Sequence, residues 1–436
     1  MRTSGLTPGH GGGRPVSHGD GPAGGEFFDV IVLGAGAAGL VCALTAARRG
    51  LRAALVDHQS RAGRKLALAG GGMGNVTNRA LDARHYVGAD LSPCRALFRH
   101  YGPEAVLDLL AELDIPWEER DFGQIFCLRP ARELADGLER LGREAGVIFH
   151  LGRRVDDIGR VPDGTDGTAL FRLRAGAGSL SAPQMVIATG SPACPQAGAT
   201  DFGARLAARW GHAVTPFSPA LTPLIMPADW PLRGLEGISL DARVSVLPQG
   251  GAETGAETWH DPCGPRPLLF THRGLSGPAA LAASCLWRPG ETLSVDFLPH
   301  APVTDWLHDP ACGRLLVRTL LARRLPGRLA GRLCPPDLAR RKAAEVGKND
   351  ALRLAGAVHR HRVIPAGTGG MRKAEAARGG VRVDSLDAHL QSRLVPGLFF
   401  CGEVLDITGL LGGYNLHWAF ASAHRAASGL RCGRRA

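Results

Sequence analysis

Two glycine-spaced turns, one near each end of the chain, constrain its fold more than any other feature. The first is Asp29-Val-Ile-Val-Leu-Gly34-Ala-Gly36-Ala-Ala-Gly39, an apolar strand running straight into a G-x-G-x-x-G turn. Short continuous apolar runs of this kind are strands buried on both faces. In such a turn the first glycine permits the tight bend. The second lets a pyrophosphate reach the backbone, and the third lets helix pack close to strand. Residues 38–49 continue as a helix of small and apolar residues that stops at Gly50. The N-terminus of that helix offers free N–H groups and a partial positive charge to phosphate. A second strand then ends on Asp57, placed to accept hydrogen bonds from ribose hydroxyls. Gly34, Gly36, Ala37, Ala38, Gly39, Asp57 and the neighbouring His58 are the expected dinucleotide contacts.

The second turn repeats the design. Gly397-Leu-Phe-Phe-Cys401 reads as a buried strand, Gly402 and Glu403 end it, and Gly412-Gly413-Tyr414-Asn415-Leu416 leads into a helix over 415–430. A mononucleotide site needs only the first turn. FAD is long, and its far end must also be held, so Gly402, Glu403, Gly412, Gly413, Asn415 and Leu416 are expected at its flavin end. The helix N-terminus there would face the atoms where reduction builds negative charge.

Between the two turns lies Gly63-Arg64-Lys65, followed by Gly70-Gly71-Gly72-Met73-Gly74-Asn75-Val76-Thr77-Asn78. Consecutive glycines let backbone lie against a flat ring, where side chains would collide. Arg64 and Lys65 add charge near phosphate. Gly71, Gly72, Asn75 and Thr77 are candidates for the flavin itself. Val155 is the candidate for adenine, and the strand ending Ala188-Thr189-Gly190 adds a further contact.

The predicted architecture is α/β. A Rossmann-like FAD-binding domain, of the kind found in two-dinucleotide-binding-domain flavoproteins, carries an inserted β-barrel-like plus helical domain. The expected boundaries are a disordered tail at 1–25, the FAD-binding domain at 26–215, the insert at 216–355 and the returning segment at 356–436. Residues 313–332 read as one helix, and 379–387 as a hairpin.

Composition narrows the function classes. No apolar run reaches the ~18 residues of a membrane span, and the first 25 residues lack a secretory pattern. Ten cysteines without a C-x-x-C pair argue against zinc and against a disulfide framework, so no metal is expected and a reducing, cytoplasmic location is. The net charge is +11, but arginines are scattered through the sequence, and no basic stretch interleaved with aromatics marks RNA. The expectation is therefore a small-molecule substrate and no nucleic acid, with oligomeric state open.

Taken together, these blocks resemble the bacterial flavoprotein family labelled HI0933-like, or aminoacetone-oxidase-type, from about residue 28 to 430. Gly63–Asn78, Ala188-Thr189-Gly190, Gly211–Leu224, Thr271–Pro278 and Cys401–Ala419 carry the likeness. The resemblance implies noncovalent FAD and an oxidoreductase of unspecified substrate, with NAD(P)H as a conceivable transient reductant, since no second G-x-G-x-x-G is present. A flavin-dependent tRNA-modifying enzyme and a non-catalytic flavin-binding protein are the alternatives. The chain departs from the family at Ala69, Met73 and Gly74, where Ser, Arg and Cys are usual. Near Phe126-Cys127 a lysine is missing, for which Arg129 or Arg132 would substitute. No catalytic residue can be singled out; Glu403, Asp406, His417 and His272 are candidates, with Arg273 beside the last.

Overall fold

The computed structural model describes residues 25–162, 169–176, 178–249 and 258–432. Apart from Gly25, the expected N-terminal tail lies outside them. A five-stranded parallel sheet organises the first domain, in the order Leu398–Phe400, Gln184–Ile187, Val30–Leu33, Ala53–Val56, Ile148–His150. Its three central strands bury every residue, as their almost wholly apolar sequence requires. The strand Gln184–Ile187 sits between the first strand and the last, so both ends of the chain meet at one sheet edge. Helices Ala37–Arg48 and Tyr414–Gly429 pack against each other beside this sheet. Helix Ala131–Glu144 packs on the first of them. Trp418 and Phe420 are core, as the sequence indicates. An antiparallel meander, Asp157–Pro162, Ala169–Ala175 and Gly178–Ala182, is extended by Glu26–Phe27.

A second sheet has its own hydrophobic core, from Leu224 to Val363. Its strands follow the order His361–Val363, Thr292–Asp296, Ser239–Leu247, Arg266–Thr271, Gly274–Ser276, Leu224–Ile225, Gly367–Thr368, with Trp259–His260 paired beside Ser239–Leu247. Helices Val303–Leu307, Val317–Ala322, Gly327–Leu333 and Lys348–His359 cover it. Two local expectations fail. The helix read over 313–332 breaks in two because Pro326 precedes Gly327 and cannot supply a helical N–H. The hairpin read over 379–387 is absent. Instead Ala376–Val381 pairs antiparallel with Val214–Ala220 and forms a neck between the domains. Its double glycine serves that crossing: a Cβ on Gly379 would stand 2.5 Å from the Pro216 carbonyl oxygen, and one on Gly380 2.5 Å from that of Val404. The second sheet also keeps its strands as far as Thr368, beyond the boundary at 355.

One buried arginine ties the second sheet to the first domain. Arg266, on the inserted sheet, donates to Asp261 at 2.8 Å, with both side chains nearly sealed from solvent. Its other Nη donates 3.0 Å to the Leu411 carbonyl oxygen, in the loop before the last helix.

Candidate functional site

A cavity of about 840 Å³ opens where the two glycine turns face each other. Its walls come from Leu33–Ala38, Val56–Gln59, the loop from Gly63 to Asn75, Arg153–Val155, Ala188–Ser191 and Leu410–Leu416, with Glu403 and Ala419. Among the cofactor contacts expected from sequence, only Gly39, Gly72, Thr77 and Gly402 fall outside the lining.

The three glycines of the first turn have three separate reasons to be glycine. Gly34 has φ +102, and a Cβ there would meet the Ala188 carbonyl oxygen at 2.5 Å. A Cβ on Gly39 would lie 1.7 Å from the Gly34 carbonyl oxygen, so its role is contact between helix and strand. A Cβ on Gly36 would meet nothing within 4 Å. It would project into open space in the cavity wall, where only a ligand could collide with it.

Asp57 closes the second strand as expected, but part of its capacity is used. Its Oδ2 accepts from the Ala35 N–H and its Oδ1 from the Gln59 N–H, each at 2.7 Å. His58 stands beside it, 3.3 Å away. Arg64 is held by the Gln59 side chain. Lys65 pairs with Glu403 at 2.6 Å, and the other oxygen of Glu403 accepts from the Ala377 N–H at 3.1 Å. Glu403 is thus a fixed counter-ion across the cavity, joining the first and last segments of the site.

The glycine loop divides its labour. Gly71 and Gly72 have positive φ and open space around them. Asn75 donates to Gln124 at 2.8 Å, while its buried Oδ1 has no partner. The Thr189 hydroxyl is a second buried group without one. Asn415 bonds the backbone of Gly409 through both ends of its amide, so its side chain closes the loop at the helix start. Gly413, with φ +87, is pinned there because a Cβ would stand 2.3 Å from the Thr77 carbonyl oxygen. Gly402 is likewise tight: a Cβ would come 2.7 Å from that of Ala38.

Thr77 does not face the cavity, contrary to the sequence reading. It is fully buried and bonds His417 Nδ1 at 2.8 Å. His417 Nε2 lies 3.0 Å from the Tyr101 carbonyl oxygen. Only a donor can bond a carbonyl, so Nε2 carries the proton and Nδ1 accepts from Thr77. His417 is therefore structural. Asp406 is also removed from the catalytic candidates, since it is buried outside the lining and accepts from the Thr215 hydroxyl at 2.6 Å. His272, exposed and near Glu236, belongs to the turn between two strands of the inserted sheet, as does Arg273. Arg129 pairs with Glu133 and Arg132 with Asp136, so neither replaces a cavity lysine. Of the three family departures, Ala69 alone lines the cavity. A Cβ on Gly74 would face Cys127, at 3.2 Å from its sulfur.

Sequence reasoning missed the wall contributed by the neck. Leu221, with φ +51, and Arg372 to Glu375 all line the cavity. The Gly369-Gly370 pair before Arg372 was the available signal, because it resembles the earlier glycine loop. Glu375 opens onto the cavity, and its side chain is exposed there. Desolvation by the surrounding wall pushes its carboxyl above the ordinary glutamate range, and the charge of Lys65 opposes the shift.

Burial holds the His417 imidazole down at about 4. Its folded value lies below the unfolded ~6.5, so its contribution is fully present above about pH 6.5 and is lost as pH falls toward 4. At 1.36 kcal/mol per unit the loss is about 3 kcal/mol. Chemical denaturation between pH 7 and 4 should show that decline, and His417→Gln should flatten it. Parallel curves for the two proteins would refute the assignment.

The HI0933-like protein Rossmann domain family matches residues 28–429. The ribosomal RNA dihydrouridine synthase of Escherichia coli (strain K12) is 35% identical over 412 residues, spanning 93% of this chain and 98% of that protein. The 3-dehydro-bile acid delta(4,6)-reductase of Clostridium scindens is 28% identical, spanning 91% of this chain and 97% of that one. Among solved structures, the 3-ketosteroid-delta4-(5alpha)-dehydrogenase of Rhodococcus jostii RHA1 shares the fold with a TM-score of 0.50 at 16% identity, covering 92% of this chain and 96% of that one. With nearly its whole length matched, the chain belongs to the HI0933-like Rossmann-domain family.

Proposed function

We propose that this chain binds FAD in the 840 Å³ cavity and reduces a ring carbon–carbon double bond, with uridine in ribosomal RNA as the substrate class. The observation that carries the reading is one cavity walled by both glycine turns. Two helix N-termini reach it, those of Ala37–Arg48 and Tyr414–Gly429. Its wall holds the open Gly36 position and two buried polar atoms without partners, on Asn75 and Thr189. These are the features of a cradle for a long, flat, anionic molecule. In this reading the Gly34–Ala38 turn takes the pyrophosphate, Asp57 and Val155 face the adenosine end, and Gly71, Asn75, Gly412 and Gly413 face the flavin. Bound FAD would supply hydride chemistry; the protein's part is to hold, orient and tune. NADH or NADPH is the proposed electron source, docking transiently.

The substrate class rests on the two relatives. Dihydrouridine is uridine with two hydrogens added across C5–C6, so a synthase of it is a reductase. The bile-acid enzyme is named for reduction of an unsaturated ring as well. The charge of the cavity wall suits an anionic ligand, RNA as well as the FAD phosphates. Arg61, Arg64, Arg153, Arg154, Arg372 and Lys373 line it, all exposed, and none has a carboxylate partner among the described residues. The proposal thus reverses the expectation drawn from scattered arginines, because folding gathers them. A ribosomal substrate also fits a cytoplasmic location.

Three outcomes are expected. Gly36→Val should give folded but colourless protein, because a branched side chain would occupy the pyrophosphate path; a yellow variant refutes that placement. Anaerobic mixing with NADH or NADPH should bleach the flavin of wild-type protein, and unmodified ribosomal RNA added afterwards should gain two hydrogens at a uridine, read by mass spectrometry of its nucleosides. Absence of bleaching removes the reductase reading, and bleaching without any mass gain removes the RNA substrate. Arg372→Ala/Lys373→Ala should weaken RNA binding and lower the slope of log affinity against log salt by about 0.7 for each phosphate no longer neutralised, with flavin content unchanged. An unaltered slope would exclude those two residues from the RNA path.

A further inference from the structure

Three carboxylates line the cavity, and two of them are committed to other partners. Asp57 accepts two backbone N–H groups, each at 2.7 Å. Glu403 is fixed by Lys65 at 2.6 Å on one oxygen and by the Ala377 N–H at 3.1 Å on the other. The third, Glu375, makes no side-chain hydrogen bond or ion pair among the described residues, and it opens directly onto the cavity. Its backbone is nonetheless held. The Glu375 N–H donates 3.2 Å to the Leu221 carbonyl oxygen, and the following residue begins the neck strand Ala376–Val381. An anchored backbone carrying an uncommitted acid is the arrangement a proton donor needs.

Resting on the reductase reading, we infer that Glu375 is the acid that delivers the proton in the reduction. A double bond conjugated to a carbonyl takes a hydride at the far carbon and a proton at the carbon next to the carbonyl. For uridine these are C6 and C5. The hydride's electron pair derives from the dihydronicotinamide donor, which is oxidised. The proton leaves the Glu375 carboxyl, and the resulting carboxylate recovers one from water at the cavity mouth. Lys65 lines the same cavity, and its charge favours that carboxylate. Desolvation by the surrounding wall raises the Glu375 carboxyl, although the side chain is exposed on the cavity side.

The test uses full-length protein and two variants. Glu375→Gln should keep its flavin, bleach with NADPH as wild type does, and bind RNA equally, yet form dihydrouridine at least about 100-fold more slowly. Glu375→Asp should recover part of that loss. A readout without flavin accompanies it: carbon-13 NMR of labelled glutamate carboxyls in the FAD-free protein. The resonance absent from Glu375→Gln should titrate above the ordinary ~4.3. Turnover of Glu375→Gln within about threefold of wild type, small beside the ~10²–10⁴-fold typical of a lost general acid, would overturn the inference. So would a Glu375 resonance titrating at or below the ordinary value. Should Glu375→Gln shed its flavin, Glu375→Asp decides: flavin retained with slowed turnover supports the role, and undiminished turnover ends it. If wild-type protein forms no dihydrouridine at all, the RNA reading fails on its own, and the carboxyl titration still decides whether this acid is poised to give up a proton.

Discussion

No methyl group can stand at residue 39, because it would lie 1.7 Å from the carbonyl oxygen of Gly34. The rest of the site depends on that approach of helix to strand. It sets the N-terminus of Ala37–Arg48 directly over the end of the central strand, and Gly34 then passes against Ala188, just past the end of the next strand. That strand in turn pairs with Leu398–Phe400. One parallel sheet therefore carries both glycine turns to the same edge, and Gly402 closes on Ala38 much as Gly39 does on Gly34.

Two of the links between the inserted domain and this framework rest on different physics. The neck is backbone pairing between Val214–Ala220 and Ala376–Val381, and it delivers Leu221 and Glu375 to the cavity wall. The second is electrostatic. Arg266 and Asp261 are buried charges that cost desolvation, and such pairs are weak evidence for stability. Their value here is positional, since Arg266 also grips the Leu411 carbonyl just before the Gly412-Gly413 turn. The inserted sheet and the start of the last helix are thus registered against each other through one guanidinium.

What the sequence made legible was local. The strand, the glycine spacing, the following helix and the acid at Asp57 all lie within one βαβ unit, and each has its cause within a few residues. What it concealed depends on partners far along the chain. Thr77 looks like a polar loop residue until His417, from the last helix, is seen to bury it. The helix read over 313–332 followed composition and overlooked Pro326, which was a local signal. Gly379-Gly380 looked like a turn, although the carbonyl oxygens that demand those glycines belong to Pro216 and Val404. Glu375 has no sequence signal of its own. It is singled out only by what Asp57 and Glu403 are already bonded to.

Charge shows the same division between local and spatial information. The excess of basic over acidic residues is 51 against 40, and no stretch of sequence concentrates it. On the outer helices arginines are matched by carboxylates one turn away, as in Arg132–Asp136, Arg140–Glu144 and Arg143–Glu139. Such exposed pairs are worth little individually, but they cancel local field. The cations that line the cavity come from separate segments, at 61–64, 153–154 and 372–373, and most lack such partners. Unpaired cations from three separate segments therefore share one cavity wall, which the spread of arginines along the chain conceals. On the proposed reading, that wall is where an anionic ligand meets the glycine turns and Glu375.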